Sequence, residues 1–317
     1  MKVTEHIRKA EKTLFSFEIL PPLKGKSINE LFMQIEPLIE FNPAFIDVTY
    51  HREEFIYKKR ENGLLERKSI RKRPGTVAIC AAIQNKYHID AIPHIICGGF
   101  NAEETENALI ELNFLGIENI MALRGDPIKT ENKFVAEEGG HYYASDLIKQ
   151  IVKLKNGEYL DEDILNQNPV DFCIGVAAYP EKHSEAPNLS TDLKNLKFKI
   201  DCGADYIVTQ MFFDNEKYYK LVDTCKQSGI NVPIIPGLKP ITNKNQIYDI
   251  PKTFNIDIPE DLFNAIEKCK DNNEALETGI EWTIQQAKDL IKNNAPSIHY
   301  FTMSKSQAIR KIAKAVL

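Results

Sequence analysis

Apolar residues along this chain follow two alternating rhythms. Short runs with a two-residue period give way to longer stretches whose apolar positions recur every three or four residues. The run from Thr13 to Leu20 shows the first rhythm. Phe15, Phe17 and Ile19 share one face, and Ser16 and Glu18 share the other. Strands are predicted near 13–20, 44–50, 91–97, 118–124, 171–178, 205–211, 232–237 and 297–303. Helical patterns fill the gaps. Ser27-x-x-Glu30 has the form of a capping box and opens a helix with Ile28, Leu31, Phe32, Ile35 and Ile39 on one face, which Pro37 should kink or shorten. Asn101-x-x-Glu104 opens another, carrying Ala108, Leu112 and Leu115 and ending at Gly116. Further helices are predicted over 75–86, 146–155, 189–202, 215–228 and 305–316, with Gly203 and Gly229 at the ends of two. Lys155 to Pro169 is polar and reads as a surface loop. This alternation predicts an α/β fold, a (β/α)8 TIM barrel forming a single domain over 1–317. A doubly wound sheet is the alternative; no Gly-x-Gly-x-x-Gly follows any strand, which weakens it.

Composition narrows the class of partner. The 317 residues are 43% hydrophobic and 27% charged, enough for one large core. A formal net charge of -5 argues against nucleic acid or an anionic membrane as the main partner. The dense basic run Arg67-Lys68 to Arg71-Lys72-Arg73 reads as a solvated helix face. Six cysteines without a Cys-x-x-Cys suggest reduced thiols in a cytoplasmic protein, with no disulfide frame and no metal site. No apolar stretch approaches the ~20 residues of a membrane helix, and no export signal is visible.

Barrels of this class build their sites at the C-terminal ends of the strands, and polar residues gather there. Glu18 ends the first strand, Thr49 and Tyr50 the second, and the third carries His94. Arg124, Gly125 and Asp126 end the fourth; Ala177, Tyr179, Glu181 and His183 follow the fifth; Gln210 ends the sixth, and Gln246 follows the seventh. A carboxylate among apolar neighbours tends to hold its proton, because low dielectric penalises the charged form. Glu18 therefore reads either as a general acid usable near neutral pH or as half of a structural ion pair. Gly125-Asp126-Pro127 is also ordinary turn chemistry, and His94 and His183 taken singly read as structural histidines. Asp192, Asn195 and Lys199 share one helix face, which suits either solvent or a polar cofactor chain. Leu189, Leu193, Leu196 and Ile200 form that helix's apolar face.

Six motifs occur in order: Phe15-Ser-Phe-Glu-Ile-Leu-Pro-Pro22, Leu123-Arg-Gly-Asp126, Tyr143-Ala-Ser-Asp146, Val176-Ala-Ala-Tyr-Pro-Glu181, Thr209-Gln-Met-Phe-Phe-Asp214 and Ile235-Pro-Gly237. Together, from about 12 to 305, they closely resemble the catalytic barrel of the methylenetetrahydrofolate reductases. The resemblance implies FAD as cofactor and NADH or NADPH as co-substrate. It implies reduction of 5,10-methylenetetrahydrofolate to 5-methyltetrahydrofolate by ping-pong hydride transfer through flavin N5, feeding methionine synthesis. Glu18 matches the family's general acid, and Asp126 the carboxylate beside the flavin. Gln210, Gln246, Thr49 and Lys305 match substrate contacts. Thr49, Tyr50, His94, Arg124, Gly125, Asp126, Tyr143, Ala144, Ala177, Tyr179, His183, Glu185, Ala186, Asp192, Asn195 and Lys199 match cofactor-side positions.

Three positions depart from the family pattern. Ile250 stands where a stacking Phe is expected, Phe198 where an Arg faces the FAD, and Lys305 where an Arg lies late in the barrel. Lys keeps the charge without the planar fork. The expected architecture is the catalytic barrel alone, without a C-terminal regulatory domain, and the expected assembly is a homo-oligomer. Another flavin-dependent barrel oxidoreductase, of the proline-dehydrogenase kind, and a non-catalytic flavin- or folate-binding protein are the competing readings.

Overall fold

A computed structural model describes residues 1–317 except 129, 130, 165, 166 and 304. Ten strands lie among the described residues: β1 (Leu14–Ile19), β2 (Phe45–Val48), β3 (Glu54–Lys59), β4 (Leu65–Ile70), β5 (Asp90–Ile96), β6 (Asn119–Leu123), β7 (Cys173–Ala178), β8 (Tyr206–Met211), β9 (Ile234–Leu238) and β10 (Ser297–Phe301). Eight close into a parallel barrel in the order β1-β10-β9-β8-β7-β6-β5-β2. They are the eight predicted runs, each within two residues of its expected ends.

Alternation sorts the side chains into two apolar regions. Phe15, Phe17 and Ile19 point outward into a large layer beneath the helices, beside Ile46, Val48, Ile95 and Ile174. The opposite faces of the strands form a smaller cluster inside the barrel, with Phe45, Ile92, Met121, Tyr206, Val208 and Ile235. A short helix, Val3–Lys9, closes the N-terminal end by adding Val3 to that inner cluster. Asn119 fixes it there, accepting from Val3 N at 2.8 Å and donating to Met1 O at 2.9 Å.

The predicted helices are present with small changes of phase. Asn101 and Glu104 form a reciprocal capping box on the helix Ala102–Phe114, a device worth ~1 kcal/mol at the Asn cap. That helix buries Leu109 and Leu112 and leaves Leu115 exposed, so its apolar stripe is rotated from the predicted one. Ser27 caps Ile28–Ile39 by accepting from Asn29 N at 3.2 Å, and Pro37 lies in its last turn, where the chain ends the helix two residues later. Gly116, Gly203 and Gly229 all take positive φ just beyond helix ends.

The basic run is a correction. Arg67 and Lys68 lie on β4, which pairs antiparallel with β3 in a hairpin outside the barrel. Five of the six β4 residues are exposed, so no apolar stripe marked the strand. Three helices beyond the predicted set, Gln246–Phe254, Glu260–Glu267 and Asn272–Lys292, follow β9 and enclose a second apolar cluster that includes Met211, Phe213, Ile247 and Ile250. All six cysteines are free thiols. No helix among the described residues is long and apolar enough to cross a membrane.

Candidate functional site

The inward faces of β1, β2 and β5 meet at one level. Register sets Glu18 of β1 beside Asp47 of β2, and Asp47 beside Ile92 of β5, two residues before His94. Thr49 Oγ1 donates to Glu18 Oε1 at 2.8 Å, and also reaches Ile19 O at 3.2 Å. His94 Nε2 lies 3.6 Å from Glu18 Oε2 and 3.4 Å from Asp47 Oδ2. The Glu18 side chain keeps 13% of its surface exposed, whereas Asp47 keeps 1%. Asp47 Oδ1 has no partner. Burial opposes charge on His94, but the Asp47 hydrogen bond and the charges of Glu18 and Asp47 outweigh it and hold His94 above its ordinary pKa. The apolar surroundings expected of Glu18 are therefore a polar cluster. The partners it finds are a hydroxyl and an imidazole, with neither a Lys nor an Arg among the described residues.

Tyr50 closes this side. Its ring packs 5.0 Å from Phe100, its hydroxyl accepts from Arg71 at the foot of the hairpin, and the Arg71 guanidinium stacks 5.0 Å from the ring.

The ends of β6 and β7 carry the second group. Gly125 takes φ +84, and a Cβ there would press on Ile96 at 3.1 Å, so the turn needs glycine. Arg124 pairs bidentately with Glu185 at 2.6 and 2.7 Å. Asp126 is exposed. Tyr143 stands at the N-terminal boundary of the helix Ala144–Lys155, makes no side-chain capping bond, and is exposed. Tyr179 meets His183 edge-on at 4.7 Å. Burial, then Arg124, lowers the His183 pKa. Asp192 accepts from His183 N at 2.9 Å, and Ala186 N donates to His183 O at 3.0 Å.

Lys199 Nζ donates to Ala177 O at 2.5 Å. Burial, only partly offset by Asp192, brings its pKa down to about 8. The polar face of the helix Leu189–Asp201 thus turns toward the end of β7, though Asn195 on it is exposed and Leu189, expected in the apolar face, is also exposed. A cleft between this helix and Asn215–Gln227 is lined by Ala177, Tyr179, Asp192 and Lys199. Four cofactor-side positions from the sequence therefore line one cleft, in which Lys199 and Lys220 supply positive charge and Leu193 and Leu196 an apolar wall.

The third group lies at the end of β8 and beyond β9 and β10. Gln210 turns its Oε1 back onto Met211 N at 3.0 Å. Gln246 Oε1 accepts from Thr242 N at 2.7 Å, and Lys305 Nζ donates to Thr242 Oγ1 at 2.9 Å, so these two predicted contacts share one bridging threonine. Ile250 is buried in the second apolar cluster. Phe198 is half exposed, with Lys149 Nζ 4.9 Å over its ring.

Asp47, His299 and Arg52 escaped the sequence reading. Asp47 carried the same signal as Glu18: a charge at an inward position of an otherwise apolar strand. His299 sits one strand away on β10, its Nδ1 3.0 Å from Ser16 Oγ, with burial lowering its pKa. Arg52, ion-paired to Glu131 and packed against Gly98, has no periodicity to reveal it.

Fold and site together define a (β/α)8 barrel with its carboxylate, imidazole, amide and cationic groups collected at the C-terminal mouth, the layout of barrel enzymes. The family model described as Methylenetetrahydrofolate reductase matches residues 2–316, and the chain belongs to that family. It is 33% identical over 317 residues to Methylenetetrahydrofolate reductase (NADH) 1 of Arabidopsis thaliana, a match covering 96% of this chain and 49% of the plant protein. The chain thus spans about half the length of that relative. It is 29% identical to the 5,10-methylenetetrahydrofolate reductase of Pectobacterium carotovorum subsp. carotovorum, covering 92% of this chain and 86% of that one. Among solved structures, a Clostridium thermocellum protein that binds two copies of 5-methyl-5,6,7,8-tetrahydrofolic acid shares the fold, with a TM-score of 0.56, 17% identity, and coverage of 99% and 98%.

Proposed function

We propose that this chain reduces 5,10-methylenetetrahydrofolate to 5-methyltetrahydrofolate, with NADH or NADPH as electron donor and FAD as resident cofactor. The observation that carries the reading is Glu18 at the barrel mouth, held by Thr49 and faced by His94, in a chain of this family. The cleft lined by Ala177, Tyr179, Asp192 and Lys199 would hold part of the FAD, with Lys199 and Lys220 the cations in its lining. FAD, when bound, supplies the hydride chemistry between nicotinamide and folate.

The protein's part is position and charge. The substrate's five-membered ring opens to an iminium cation at its N5 only once N10 is protonated, and Glu18 donates that proton. Thr49 holds Oε1, which leaves Oε2 as the oxygen on the His94 side. Asp126 places a carboxylate at the exposed mouth, where negative charge favours the cationic iminium. Gln210 and Gln246 offer amides to the pterin, which means giving up their present bonds to Met211 N and Thr242.

Anaerobic stopped-flow, following flavin absorbance in each half-reaction, tests the reading. Glu18→Gln is expected to keep flavin reduction by the nicotinamide and to slow folate reduction ~10²–10⁴-fold, the usual contribution of a positioned acid. Normal rates in both halves would remove Glu18 from the acid role.

A further inference from the structure

We propose that Asp47 is a positioning residue: with His94 it forms a proton-holding pair that supplies and recharges Glu18. The inference deepens the folate-reductase reading and rests on it for the identity of the final acceptor. The geometry is a three-way contact. His94 Nε2 stands within 3.6 Å of both Glu18 Oε2 and Asp47 Oδ2. Neither carboxylate has a Lys or Arg partner among the described residues, and Asp47 Oδ1 is buried with nothing to bond it. A buried carboxylate without a cation is costly, and the His94 imidazole lies within reach of both carboxylates.

Among the described residues, the other titratable groups facing His94 are poorer proton sources. Glu18 comes from β1 and Asp47 from β2. His299 comes from β10, tied to Ser16, and burial lowers its pKa. His51 follows β2; burial first, then Arg73, lowers its pKa as well. Tyr206 of β8, and Cys80 of the helix behind β2, both feel the Asp47 charge, and burial pushes both well up, so they keep their protons. Among these groups His94 is the histidine whose pKa is raised.

The steps balance. The Glu18 O–H bond breaks, its electron pair stays on the carboxylate, and the proton bonds to N10 of the ligand. The His94 Nε2–H bond then breaks and the proton moves to Glu18 Oε2, leaving neutral His94 beside Asp47. A proton from solvent restores His94 when the mouth is open. Asp47 acts through His94 and never touches the ligand.

The test is Asp47→Asn in the flavin-loaded protein, which keeps the shape and removes the charge. The pH profile of the folate half-reaction is read by stopped-flow, and His94 protonation by NMR on 15N-histidine-labelled protein. The basic limb of the folate half-reaction is expected to move down by about one pH unit or more, with a parallel downward shift of the His94 titration. The profile for flavin reduction by the nicotinamide is expected to stay in place. A folded variant with an unmoved limb overturns the proposal, whether or not His94 shifts. Should the variant fail to fold, the unmodified protein decides: His94 titrating at or below an ordinary histidine overturns the proposal, and titration above it supports it. An unmodified protein that never reduces folate refutes the functional reading, while its His94 titration still reports on the cluster.

Discussion

Glu181, three residues past β7, offers a quantitative test of how this fold treats a misplaced charge. Its Oε1 is buried and has no hydrogen-bond partner. Burial, assisted by Asp257 and only partly opposed by Lys217, raises its pKa from 4.5 to about 7. Lys217 is already paired with Asp257 at 2.8 Å, so it has little charge to spare. Between pH 4.5 and about 7 the folded chain holds a proton that the unfolded chain has released. Stability therefore falls as pH rises through this window, and the cost is complete above it. The gap is about 2.5 pH units at about 1.4 kcal/mol each, a ceiling of roughly 3.5 kcal/mol. The side chain is partly open to solvent, and screening reduces this to ~1–2 kcal/mol.

Glu181→Gln mimics the protonated acid at every pH. It should lie close to the parent at pH 5 and exceed it at pH 8 by about that amount, a rise in Tm of about 1.5–3 °C. Calorimetric scans of both proteins at the two pH values measure it. A difference in Tm that is the same at pH 5 and pH 8 would refute the reasoning.

Lys199→Met should weaken FAD retention ~10–100-fold, the scale of one lost charge-assisted hydrogen bond; flavin content after gel filtration against the parent protein measures this. Asp126→Asn removes a negative charge from the mouth and should raise the flavin potential, helping its reduction and slowing folate reduction; spectroelectrochemical titration that finds no change would count against the electrostatic role. Gly279→Ala places a Cβ against the Ile241 backbone, 2.8 Å from its carbonyl carbon. The clash should outweigh the better helix propensity and destabilise the protein by ~1–3 kcal/mol, visible as a lower Tm.

The barrel was legible because its strands carry their own periodicity. Phe15, Phe17 and Ile19 announce an outward face, and Glu18 announces the inward one. The β3–β4 hairpin was not legible, because a strand exposed on both faces has no apolar rhythm; its Arg and Lys residues could as well have lined a helix. Glu18 and Thr49 were visible singly at strand ends, and His94 within the third predicted strand. Their convergence was not, since it depends on the register that sets Glu18 beside Asp47. Lys199 and Asp192 were read correctly as one helix face, but only the packing of that helix against β7 tells which way the face points. Ile250 has a physical account in the second apolar cluster, formed by helices outside the predicted set.

The plugged N-terminal end has a kinetic consequence. Phe45, Ile92, Met121, Tyr206 and Val208 fill the barrel below Glu18, and Val3 seals the end. Water cannot reach the carboxylates from underneath, so every hydron exchanged with solvent crosses the same opening that admits the ligand. A ligand seated there isolates the interior, and each occupancy begins with a fixed inventory of exchangeable hydrogens. Mixing into D2O before the ligand should therefore slow the first folate half-reaction, whereas mixing into D2O after the ligand is seated should slow only later turnovers.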